Sequence, residues 1–148
     1  MRLFKLEGAS GEELPAKIRS AARSKNPGFT LAAARLEADN MGVVARIRTV
    51  LTIANDDPAR RITGVEWRLD IFDASHRYGS SRIPQSDKVN IYSGERAVAS
   101  ARFGAVLPDR MVVLFQLVSV TFADDSVWSS TEECSLEEDL VTVSCKSR

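Results

Sequence analysis

The chain has 148 residues, of which 44% are hydrophobic and 27% charged, with twenty basic side chains matched by twenty acidic ones. That length accommodates one domain with a substantial core, the composition excludes wholesale disorder, and the charge balance leaves no net field to draw the chain to nucleic acid or an anionic membrane. No apolar run approaches the length of a membrane-spanning helix, and the first residues carry no continuous secretory segment.

In chain order, residues 1–6 alternate loosely and suit an edge strand. Ser10 and Glu13 have the spacing of a capping box, Pro15 sits where a first helical turn tolerates it, and Leu14, Ile18, Ala21 and Ala22 fall on one helical face. The expectation is a short amphipathic helix that stops at Asn26, Pro27 and Gly28. Residues 29–38 have the alanine content of a helix but the length and flanking turns of a strand, and we read a strand. From Val43 the period is two: Val43, Ala45, Ile47, Leu51 and Ile53 share one parity, and Arg46, Arg48 and Thr52 the other. Asn55, Asp56, Asp57 and Pro58 end that strand. The next, residues 62–74, points Val65, Trp67, Leu69 and Ile71 one way and Glu66, Arg68 and Asp70 the other, which makes Trp67 a core residue.

Residues 75–88 are polar and irregular, and the lone histidine, His76, reads as an exposed loop residue. Val89 and Ile91 suggest a short strand, Ser93, Gly94 and Glu95 a turn, and residues 97–103 another strand. Residues 111–128 form the longest apolar run, closing on an Asp124-Asp125 turn. One parity of this run, Val112, Leu114, Gln116, Val118, Val120 and Phe122, is assigned to the core. The other begins with Met111, Val113, Phe115 and Leu117, so its outer side needs a cover, either the N-terminal helix or a partner subunit. Phe115 and Leu117 are therefore candidate contact residues. The tail is acidic, with a last strand expected at residues 140–143. Cys134 and Cys145 stand eleven positions apart: either a disulfide made in an oxidising compartment or two reduced thiols.

The strand count, alternating faces and frequent turns predict an all-β fold, an antiparallel immunoglobulin-like β-sandwich with a short N-terminal helix. Residues 1–28 form an N-terminal extension, 29–131 the sandwich and 132–148 the acidic tail. A strand ending at Asn55, the stretch Leu69-Asp70-Ile71-Phe72-Asp73 and the turn at Ser93-Gly94-Glu95 together resemble the bacterial immunoglobulin-like domains of the FxLYD and late-embryogenesis-abundant-like type. Leu69, Ile71 and Phe72 stand where that family has Phe, Leu and Tyr. The resemblance implies a small module of extracytoplasmic or envelope proteins with no general catalytic residues.

Chemistry-bearing residues are sparse. No glycine-rich phosphate loop, zinc-ligand spacing or aromatic-basic strip is present, and nothing in the sequence brings His76 to either cysteine. The expectation is a non-enzymatic module without cofactor or metal that binds another protein or itself. Its partners include neither nucleic acid nor, through any span in this chain, a membrane. Arg46, Arg48 and Arg68 would line one exposed sheet face if their strands are neighbours, interleaved with Glu66 and Asp70: a salt-bridged solvated face or, alternatively, a docking face for a ligand or protein. The alternative is a carbohydrate- or calcium-binding module. Asp56, Asp57, Asp124 and Asp125 lie at two turns, and would offer oxygen ligands to a hard cation if those turns share one end. The bare Met start reads as cytoplasmic, whereas removal of a native leader would favour an extracytoplasmic place.

Overall fold

The computed structural model describes residues 2–8, 13–19, 28–41, 44–73, 80–105, 111–137, 139 and 142–147. Their regular structure is entirely strand: β1 (Arg2–Gly8), β2 (Glu13–Arg19), β3 (Phe29–Met41), β4 (Val44–Asn55), β5 (Ile62–Asp73), β6 (Ser80–Ile91), β7 (Arg96–Ala105), β8 (Met111–Phe122), β9 (Val127–Ser129), β10 (Glu132–Leu136) and β11 (Val143–Ser147). Where the sequence suggests a helix from Ser10 onward, Glu13–Arg19 is instead a strand, paired antiparallel with β1 and parallel with β8. Leu14, Ala16 and Ile18 also alternate with period two, and backbone pairing on both edges favours that period over the helical one. Ser10 and residues 20–27, like His76, lie outside the described residues.

The main sheet runs in the order β6-β5-β8-β2-β1-β3-β4-β7, with β9 added to β8, and β10 and β11 form a separate hairpin. The main sheet folds over into a sandwich-like body. Trp67 on β5 donates its indole N–H to Thr49 Oγ1 on β4 at 3.1 Å, and Thr49 donates to Gln85 Oε1 on β6 at 3.3 Å. A buried polar chain thus ties β4 to both β5 and β6 through the core. The two ends of the strand order meet as well, where the Ser100 N–H of β7 donates to the Asp87 carboxylate of β6 at 2.9 Å. β1 and β2 take their places in the main sheet between β8 and β3.

Alternation supplies the core. Val65, Trp67, Leu69 and Ile71 of β5 face Leu36, Ile47, Leu51 and Ile53 of β3 and β4 within one buried cluster. Full burial of each large side chain contributes about 1.5–3 kcal/mol against the entropy of ordering. Residues 80–91, too polar to read as one strand, are a single strand because β5 pairs with them from Phe72 to Ile62.

β8 departs from the expected parity. Its partner register on β5 runs Glu66 to Ser119 but Trp67 to Leu117, leaving Val118 as an extra residue. This bulge switches faces: Val113, Phe115 and Leu117 enter the core below it, and Val120 and Phe122 above it. Phe115 and Leu117 are 1% and 3% exposed inside the sandwich, so they are not outer-face contact residues. The outer side is that of Leu114 and Gln116.

Candidate functional site

Gln116 is the polar interruption of the apolar run, and it is buried. Its side-chain amide imitates a strand: Nε2 donates to the Cys134 carbonyl at 2.7 Å, and Oε1 accepts the Cys134 N–H at 2.9 Å. The β10–β11 hairpin is thereby seated on the outer face of β8. The route to it is short, since β9 pairs with Ser119–Thr121 and the Ser130 N–H then donates to the Val118 carbonyl at the bulge. Cys134 and Cys145 lie directly opposite each other in the hairpin and are joined by a disulfide.

Beside this clamp lies a four-membered charge cluster. Glu133 of β10 accepts from Arg68 of β5 at 3.3 Å and from Arg82 of β6 at 3.0 Å. Asp70, 2% exposed, sits within 3.2 Å of Arg68 Nε and 3.5 Å of Arg82 Nε, and accepts from Gln116 Nε2 at 3.0 Å. Arg68 Nε and Asp70 Oδ1 are both buried and, although close, are not aligned as a hydrogen bond. Burial pushes the Asp70 carboxyl above its ordinary value despite the pull of both guanidiniums. Hydrogen bonds from Arg68 and Arg82 hold Glu133 below its own. Next to the cluster, Glu66, Arg68, Pro84, Ser86 and Val118 line an open groove of about 490 Å³ on the outer face of β5, β6 and β8.

Arg46 and Arg48 do not join Arg68. β4 pairs with β3 and β7, not with β5, because residues 55–61 carry the chain across to the other side of the core. Arg48 instead meets Glu37 at 3.5 Å, and Glu37 also meets Arg35 at 3.0 Å, an exposed ion-pair row on the far face. Such a row contributes little to stability.

The aspartate turns do share one end, and Arg60 stands between them. Asp57 Oδ1 accepts the Ala59 and Arg60 N–H groups, each at 2.8 Å, and Oδ2 accepts Arg60 Nε and Nη2, again at 2.8 Å. These backbone donors, more than the Arg60 charge, hold Asp57 below its ordinary value. Arg60 Nη1 donates to Ser126 Oγ at 2.9 Å, its guanidinium lies 3.9 Å from the centre of the Phe122 ring, and Ser126 Oγ donates to Asp124. Asp56 accepts from Thr30 at 2.6 Å. A divalent cation at this end would have to displace Arg60.

Asn55 organises the same end. Its Nδ2 donates to the Arg60 and Ile91 carbonyls at 2.8 and 2.9 Å, and its Oδ1 accepts the Asp57 N–H at 3.0 Å. Gly28 closes against it with φ +78°, where a Cβ would come within 3.1 Å of Asp57. In the hairpin, donor atoms of Glu132, Cys134 and Cys145 lie within 4.8 Å of one another, but both sulfurs are spent in the disulfide and offer no thiolate.

Compared with family models, curated proteins and solved structures, the chain matches none. Sequence reasoning missed Gln116, Arg82 and Glu133. A lone amide in an apolar strand was the available signal for the first. Nothing local marks the other two, which gain meaning only when β6 and β10 converge on β5.

Proposed function

We infer that this protein is a non-enzymatic β-sandwich module of the immunoglobulin-like type that works by protein–protein contact in an extracytoplasmic or envelope-associated assembly. The observation that carries this reading is the groove of Glu66, Arg68, Pro84, Ser86 and Val118, an open surface of mixed chemistry on an ordered sheet. Its rim includes Arg68, a residue type that recurs at protein contact sites. The disulfide supports the compartment, because such bonds persist where the surroundings are oxidising. The buried Asn55 at the end of β4 is in keeping with the FxLYD-type resemblance.

Site-specific photo-crosslinking in the native host tests the contact. A photoreactive residue at Ser86 is expected to give a discrete adduct, with a second copy of the chain among the admissible partners. The same residue at Arg96, on a different strand, serves as the control. No adduct from Ser86, or equal adducts from both positions, would overturn the reading.

A further inference from the structure

We propose that the β10–β11 hairpin is a disulfide-held strap, and that the surface beneath it accepts an extended acidic segment of a partner in place of β10. This rests on the contact reading above and names the partner's chemistry and the regulation of that face.

β10 is held to the sandwich much as a foreign peptide would be. One residue, Cys134, gives its N–H and carbonyl to a side chain, Gln116, instead of to a strand edge. The neighbouring residue, Glu133, gives a carboxylate to two guanidiniums. Both are recognition devices for an extended chain with an acidic side chain. With Glu133 in place, Arg68 and Arg82 are balanced by Asp70 and Glu133. Once it leaves, two guanidiniums face one carboxylate, and the exposed face carries an uncompensated positive charge beside the groove.

The disulfide sits on the clamp itself, since Cys134 is both the residue held by Gln116 and one half of the bond. Cleavage by a dithiol proceeds by attack of one thiolate on a sulfur of the pair, then closure of the resulting mixed disulfide. The dithiol loses two electrons and two protons and becomes a disulfide; Cys134 and Cys145 become thiols. The hairpin then loses its cross-strand tie next to the residue that anchors it.

The test uses the full chain, oxidised and after treatment with a small dithiol. Amide hydrogen exchange of β10 is expected to accelerate about tenfold or more on reduction, with β4 and β5 unchanged. A labelled peptide of residues 131–137 carrying C134S is expected to bind the reduced protein and not the oxidised one. Glu133→Gln in that peptide should weaken binding by about tenfold. Unchanged exchange overturns the strap, as does loss of protection throughout β4 and β5, which would make the hairpin part of the cooperative core. Faster exchange without peptide binding overturns the acidic-segment occupant. Ser86 crosslinking is read in the host, whereas exchange and peptide binding are read on the purified chain in both states, so failure of the contact reading is distinguishable from either result.

Discussion

At the scale of single residues, two buried or half-buried aspartates obey opposite rules. Asp57 accepts four short bonds from its own turn and from Arg60, which favour its charged form, so its carboxyl titrates below its ordinary value of 3.8. Its contribution to stability is present above that value and is lost as pH falls through the folded-state pKa. Asp70 is held in poor solvation, so its carboxyl titrates above 3.8. As pH rises from 3.8 through that higher value, the fold must accept a buried charge and loses stability, the reverse sign. Carboxyl carbon shifts followed by NMR should order Asp57 below Asp70; the opposite order would contradict this account. Asn55 is the other decisive residue. Asn55→Ala leaves the Arg60 and Ile91 carbonyls and the Asp57 N–H short of a partner, and is expected to cost about 2–4 kcal/mol in urea unfolding. Asn55→Asp should not rescue it, since a carboxylate cannot donate to the two carbonyls.

At the scale of elements, β8 carries the lesson. Phe115 belongs to the core only because Val118 is an extra residue that reverses the faces of the strand. Phe115→Ala is therefore expected to lower stability by about 3–5 kcal/mol without altering self-association, as chemical unfolding and sedimentation would measure. Deleting Val118 is a sharper test. Without that extra residue the register to β5 becomes continuous and Phe115, Leu117, Val120 and Phe122 fall on one parity, so the variant is expected to keep a cooperative thermal transition. A deletion that abolishes the transition would show that the bulge itself, and not only the parity it sets, is required. β2 makes a related point: helical and strand periods coexist in residues 13–19, and two neighbouring edges decide between them.

At the scale of the molecule, protection should follow pairing. β5 and β8 have partners on both edges and bury their large side chains, whereas β10 and β11 pair only with each other. In the oxidised protein, amides of β5 and β8 are expected to exchange last and those of the hairpin first among the strands, as mass spectrometry would report. Equal protection in both would mean that the hairpin unfolds with the sandwich. What the sequence determined by itself was the all-β character, the one-sided faces of β4 and β5, Trp67 as a core residue and the cysteines as potential partners, because period-two patterning and turn chemistry are local properties. Only the tertiary structure decided the face of Phe115 and Leu117, the separation of Arg46 and Arg48 from Arg68, and the assembly of Asp70, Arg82, Gln116 and Glu133. Those depend on a one-residue bulge and on which strands become neighbours across a fold of the sheet, and strand order is not written in the period of any single segment.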